Sequence, residues 1–278
     1  MFIYKLLKKI IPPIILEINN YIVNFFILNF TLKNEVISKN YYLKDKRKKN
    51  RAFLIATGPS LRKENLKLLN GEDCFTLSNA FLLKEIKLIN PILHFFTPYH
   101  LPITKRSFYD WLLKSDKELP KKTDIMMNYD DRNFKTKKLF NSRNVYFLKI
   151  SGKINKFHSN IQKPVPKFQT GSLMVLNVLL SMGYKKIYIL GCDHNQLKNF
   201  NSQIDNFYKE SRDVRLTKIS KLNQNWGKLD EELSASLLAY NQYKEINKIA
   251  KQKNIEIINL SKESWIDLFK KESLKKII

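Results

Sequence analysis

Four short segments hold the residue types that could do chemistry on a phosphorylated ligand. Thr57-Gly58-Pro59-Ser60 closes an apolar run. Glycine there lets a backbone approach a ligand closely, proline fits a first helical turn, and serine caps free N–H groups. A phosphate placed at such a turn meets the positive end of a helix, although a plain strand-to-helix turn reads much the same. Ser78-Asn79-Ala80-Phe81 follows the next apolar run, and its Asn79 side chain suits a ribose, a base edge or a helix cap. Gln169-Thr170-Gly171-Ser172 precedes the most apolar helical stretch, with small hydroxyl residues where backbone donors emerge. Gly191-Cys192-Asp193-His194 ends a further apolar run. Imidazole is the usual proton acceptor near neutral pH, and a neighbouring carboxylate is suited to orient it.

These segments need a scaffold that brings run ends together. Strands are expected at Ala52–Thr57, Cys74–Ser78, Ile92–Thr97, Ile125–Asn128, Val145–Leu148, Lys186–Leu190 and Ile255–Asn259. Helices are expected at Leu61–Leu69, Phe81–Leu88, Ser172–Met182 (closed by Gly183) and Leu229–Lys253. Such alternation predicts an α/β fold, a Rossmann-like, mostly parallel sheet with helices on both faces. Ligands then gather at the carboxyl ends of the strands, where all four segments fall. The stretches from Gly152 to Phe168 and from Gln196 to Lys228 are poor in strands and read as loops or lids near the site.

The first fifty residues differ. Ile14–Leu32 is apolar but carries Glu17, Asn20, Asn24 and Thr31 on one helical side, the pattern of an amphipathic helix in a membrane interface or on a protein surface. Lys44–Arg51 (KDKRKKNR) is strongly basic. The expected division is therefore 1–50, an amphipathic and basic segment, and 51–278, a catalytic domain. A net charge of +25 favours anionic partners: nucleic acid, anionic lipid, or phosphorylated and acidic sugars. Basic residues are spread over the chain and match no nucleic-acid reader motif, so no nucleic-acid partner is expected. Cys74 and Cys192 lie in apolar runs and read as buried, reduced thiols, which suits a cytoplasmic compartment. His94, His100, His158 and His194 lack metal-ligand spacing, so no metal is expected.

ATGPSL, SNAF and QTGSLMVLNVLLSMGYKKIYILGCD resemble, in that order, segments of bacterial sialyltransferases that decorate lipooligosaccharide. A similar core occurs in the MptE-like domain of motility accessory proteins and in archaeal 6-hydroxymethylpterin pyrophosphokinases. The resemblance spans roughly Phe53 to His194 and is most specific over Gln169–Asp193. It implies transfer without metal or cofactor from a CMP-linked nonulosonic acid, the nucleotide-sugar being a co-substrate, to a glycan or glycolipid acceptor. It further implies that Thr57, Gly58, Pro59, Ser60 and Asn79 hold the nucleotide, with Thr170, Gly171 and Ser172 beside the cytidine or the sugar carboxylate. Two departures stand out: Thr97-Pro98-Tyr99 replaces Asn-Pro-Ser, and no histidine occupies the region where the family keeps its catalytic one. His194 with Asp193 is the expected catalytic pair, His100 the reserve, and Tyr208 and Lys209 are lid candidates. The expected protein is a glycosyltransferase at the anionic, cytoplasmic face of a membrane. The rivals are a magnesium- and ATP-dependent pterin pyrophosphokinase and a basic polyanion-binding module.

Overall fold

Short apolar runs bounded by polar turns form strands that bury both faces. The computed structural model describes residues 35–134, 139–152, 154, 156–199, 206–215 and 228–278. Its strands are β1 (Arg51–Ile55), β2 (Cys74–Leu77), β3 (Leu93–Phe95), β4 (Asp124–Asn128), β5 (Val145–Leu148), β6 (Ile150–Ser151), β7 (Val165–Pro166), β8 (Lys186–Leu190), β9 (Glu256–Asn259) and β10 (Lys270–Lys271). Eight of them form one sheet in the order β10-β9-β8-β1-β2-β3-β4-β5, and β6 pairs separately with β7. Every pairing is parallel. This is the α/β, Rossmann-like architecture that the alternation predicts.

Strand order fixes where a ligand belongs. From β1 the chain advances through β2 to β5, then returns so that β8 pairs on the other side of β1. The direction of winding reverses between β1 and β8, and the crevice outside their carboxyl ends is the topological switch point. Ile55 is in register with Leu190 on one side and Thr76 on the other, so three strand ends are level there.

Each face of the sheet is covered. Ala52 and Leu54 face α2 (Gly171–Met182), which packs in turn on α3 (Leu229–Gln252). Ten of the twelve residues of α2 are buried, as a helix apolar all round must be. Phe53 and Ile55 face the opposite layer, where Phe108, Trp111 and Leu112 of α1 (Lys105–Glu118) enter the core. Gly183, with φ of 80°, terminates α2 in the left-handed conformation.

Two expected helices need correction, and one helix is additional. The helix expected over Leu61–Leu69 is two 3₁₀ turns, Pro59–Lys63 and Leu66–Leu69, interrupted by extended Glu64. The helix expected over Phe81–Leu88 is a 3₁₀ turn, Ser78–Leu82, and a single turn, Ile86–Ile89. Both segments are too short to propagate as α-helix on their own, and their leucines reach the core without α spacing. Helix α1 was not anticipated, although Phe108, Trp111, Leu112 and Ser115 make a buried stripe and Thr104 accepts from Ser107 N at its start.

The basic run is engaged at the opposite, amino-terminal rim of the sheet. Lys46 pairs with Asp124 at 2.5 Å, and Lys49 and Arg51 share Glu72 at 2.7 and 2.8 Å. Asp73 accepts from the backbone N–H groups of Lys48 and Lys49 and from the Tyr184 hydroxyl. Leu43 and Ile37 are buried in the body as well. The amphipathic helix expected at Ile14–Leu32 lies outside the described residues. Among the described residues, no helix is long and apolar enough to cross a membrane.

Candidate functional site at the strand switch point

The turn after β1 is built around contact, not flexibility. Gly58 N donates to Gly191 O at 2.8 Å, extending the β1–β8 pairing past the strands. A Cβ at position 58 would lie 2.5 Å from Asp193 Oδ2 and 2.6 Å from Gly191 O. Asp193 closes the turn by accepting from Ser60 N at 2.9 Å and from Ser60 Oγ at 2.5 Å. Ser261, after β9, joins the same knot: its Oγ is 3.2 Å from Ser60 Oγ and accepts from Gly191 N at 2.8 Å. Ser264 Oγ donates to Cys192 O at 2.7 Å. The ends of β1, β8 and β9 are thus tied by side chains from all three. Both Asp193 oxygens are used on Ser60, so Asp193 does not orient His194, contrary to expectation.

Asn79 is also committed. It is wholly buried, its Oδ1 accepts from Trp111 Nε1 at 2.6 Å, and its Nδ2 donates to Asp213 Oδ2 at 2.6 Å. Asp213 belongs to segment 206–215, which crosses the ends of β1 and β2. Phe207 N donates to Thr57 O at 3.1 Å, Arg62 donates to Asn206 O, and Lys114 Nζ donates to Arg212 O at 2.8 Å. Tyr208, expected as a lid residue, does lie here, partly buried beside Asn79 and Arg215, and burial pushes its hydroxyl up.

His194 stands on the other side of Asp193. Its φ of 50° is left-handed, as are those of Gly191 and Ser78 (66° and 54°), so three strand-end residues of this rim adopt that conformation. For histidine and serine it costs about 1–2 kcal/mol each, and such strain gathers at functional sites. His194 Nε2 lies 2.8 Å from the Tyr243 hydroxyl, and Nδ1 has no protein partner among the described residues. Burial pushes the imidazole down to about 4 and the Tyr243 hydroxyl up. His100, by contrast, is exposed and turned to the Leu101 carbonyl.

Thr170 caps α2, accepting from Leu173 N at 3.4 Å, and lies 3.5 Å from the Tyr243 hydroxyl. Gly171 lies against Leu77 and Thr97, seating the helix start on the ends of β2 and β3. Ser172 is buried and its hydroxyl accepts from Cys192 Sγ at 3.3 Å. A cleft of about 310 Å³ begins at Thr170 and His194 and runs along α3 past Glu232, Ser236 and Tyr240 to Trp265. Sequence reading missed this wall. Its signal is the spacing of Glu232, Ser236, Ala239, Tyr240 and Tyr243, which puts them on one helical face.

The expected residues therefore meet at one rim in two states of engagement. Thr57, Gly58, Pro59, Ser60, Thr170, Gly171 and His194 are partly exposed, while Asn79, Ser172 and Asp193 are buried and hydrogen-bonded. Cys74 and Cys192 are free and buried, as expected. Among the described residues no three His, Cys, Asp or Glu side chains cluster to hold a metal.

In structure the chain is similar to the sialyltransferase CstII from Campylobacter jejuni in complex with the substrate analogue CMP-3FNeuAc, at 14% identity and a TM-score of 0.45 over 80% of this chain and 86% of that one. It is similar to CstII with trisaccharide acceptor and CMP at 16% identity, a TM-score of 0.45 and the same coverage. It is also similar to the monofunctional α-2,3-sialyltransferase Cst-I from Campylobacter jejuni, at 14% identity and a TM-score of 0.44 over 81% and 80% of the two chains. These are bacterial sialyltransferases, the group that the sequence motifs resemble. Neither a protein-family model nor a curated protein matches the chain.

Proposed function

We propose that the chain is a glycosyltransferase that moves a CMP-linked nonulosonic acid onto a surface glycan or glycolipid. The observation that carries this reading is the convergence of the four motif segments on one rim of the sheet, at the β1–β8 switch point and beside the start of α2. In the reaction, an acceptor hydroxyl attacks the anomeric carbon while the bond from that carbon to the phosphate oxygen breaks. The electron pair leaves with CMP, and the hydroxyl proton passes to a base.

His194 is that base in this reading. Its burial keeps the ring neutral near pH 7, so it can accept a proton without first losing one. If Nε2–H donates to Tyr243, the Nδ1 lone pair is the one available. An imidazole held this low is a weak base, and the counter-charge of a bound phosphate or sugar carboxylate raises it toward the working range. The start of α2 offers about half a positive charge to the departing phosphate. The net charge of +25 and the amphipathic pattern of Ile14–Leu32 support work at an anionic membrane surface on the cytoplasmic side.

The test is thermal stabilisation by CMP, CDP, UDP, GDP, ADP and ATP, with and without magnesium. A shift with CMP that ignores magnesium is expected. A shift only with ATP and magnesium, or none with any nucleotide, refutes the reading. Co-sedimentation with phosphatidylserine vesicles but not with phosphatidylcholine vesicles is expected for the membrane assignment, and equal behaviour with both would overturn it.

A further inference from the structure

Asp213 and Arg215 form a charged pair inside the rim that the transfer reading leaves without a role. The Asp213 carboxylate is buried and accepts from Asn79 Nδ2 at 2.6 Å, Arg215 Nη2 at 2.7 Å, Arg215 Nε at 3.0 Å and Arg215 N at 3.0 Å. A guanidinium fork, a carboxamide and a backbone N–H aimed at one carboxylate are the components of an oxyanion receptor.

Half of that receptor is fixed by the core. Trp111 Nε1 holds Asn79 Oδ1, so the other end of the amide, Nδ2, is set toward Asp213 whatever segment 206–215 does. The Arg215 guanidinium lies on the Trp111 ring with its centre 4.2 Å from the centroid. Stacking holds the fork in one plane, which suits a planar or tetrahedral anion. Asp213 and Arg215 both come from segment 206–215, tied to the body by Phe207 N to Thr57 O and by the side chains of Arg62 and Lys114, but Arg215 is also held by the Trp111 ring, so a side-chain rotation of Asp213 vacates the receptor without moving the fork. Burial alone would raise the Asp213 carboxyl, yet hydrogen bonds and charge from Arg215 outweigh it and hold the carboxyl below the ordinary range.

We propose that Asp213 stands in for an anionic group of the substrate, carboxylate or phosphate, and that Arg215 binds that group once Asp213 gives way. This rests on the donor site assigned above to the same rim. A protein whose binding-competent state is a tenth of the population binds about tenfold more weakly than that state does, so removing the internal competitor tightens binding.

The experiment measures dissociation constants by calorimetry for CMP, for N-acetylneuraminic acid (a carboxylate without phosphate) and for inorganic phosphate. The proteins are the full chain, Asp213→Asn, Arg215→Gln, Arg215→Lys and Asp213→Asn/Arg215→Gln, with Asp213→Ser replacing Asp213→Asn should that variant not fold. Asp213→Asn is expected to tighten at least one probe about tenfold. The double variant is expected to lose that gain and Arg215→Lys to keep part of it. A gain confined to neuraminic acid assigns the carboxylate; one shared by CMP and phosphate assigns the phosphate. Unchanged or weaker binding in Asp213→Asn, or a gain that survives in the double variant, overturns the inference, as does no binding of any probe to any variant. CMP binding to the unaltered chain that ignores both residues would remove this inference and leave the transferase reading. Neuraminic acid or phosphate binding that obeys both residues, with no nucleotide bound, would do the reverse.

Discussion

Gly58→Ala is the sharpest test of the rim. The φ of −65° and ψ of 157° at Gly58 are angles alanine adopts readily, so the glycine is required by space and not by conformation. The added methyl would meet Asp193 Oδ2 at 2.5 Å and Gly191 O at 2.6 Å, both held in hydrogen bonds. Overpacking of this kind costs about 1–3 kcal/mol. Relief demands stretching the Gly58 N to Gly191 O bond and the Ser60 bonds to a carboxylate, which adds about 1–3 kcal/mol. The expected loss is about 2–6 kcal/mol, equivalent to a melting temperature lower by roughly 3–10 °C in a chain of this size. The assay is urea and thermal unfolding of Gly58→Ala beside Gly152→Ala, where the new methyl meets nothing within 4 Å. Gly152→Ala should stay within about 0.5 kcal/mol of the parent. Equal stability of the two variants would refute the packing account of the β1–β8 junction.

His94 and His194 make the fold acid-sensitive, because burial holds them neutral, pushed down to about 3 and about 4. Between about pH 6.5 and 4 the unfolded chain takes up protons that the folded one refuses, so stability falls as pH drops, by about 5 kcal/mol at pH 4.5 for the pair. Urea melts at pH 7 and 4.5 should show this, and His94→Gln should remove about half of the slope. Trp111→Phe keeps the ring but strips Asn79 Oδ1 of its donor, and should cost about 1–3 kcal/mol by chemical denaturation. His194→Gln should lower transfer rate by about 10²–10⁴-fold with little change in CMP affinity; full activity would remove His194 as the base. Tyr243→Phe frees His194 Nε2 and should move the acid limb of the pH–rate profile, while an unmoved limb would mean that the contact is structural.

Most of the sheet was legible because its strands are buried on both sides. Runs such as FLI, CFTL, VYFL and KIYIL have no polar face to blur them, and their ends fall within two residues of the expected positions. Gly183 marked the end of α2 for the same local reason. What was not legible depends on distance along the chain. Asp193 and His194 are adjacent, yet the left-handed turn at His194 sends one side chain to Ser60 and the other to Tyr243, which is 49 residues away. Asn79 looks like a free polar residue at a strand end until Asp213, 134 residues on, is seen to occupy it. No local pattern announces either partnership. The rim was therefore visible in the sequence, but the assignment of its side chains to ligand or to protein was not.

The place of β1 in the sheet has a further consequence during synthesis. Its first partner, β2, is made almost at once, but β8, which covers its other edge, emerges about 130 residues later, or roughly 7–26 s at ordinary elongation rates of ~5–20 residues per second. Throughout that interval the nascent chain presents an apolar strand with one row of unpaired backbone groups, the kind of edge that recruits other strands. Helix α2, which shields the same face of β1, arrives only just before β8. The fold that places a crevice at the β1–β8 boundary thus leaves that boundary open for about 130 residues of synthesis, and it closes only once Leu190 has left the ribosome.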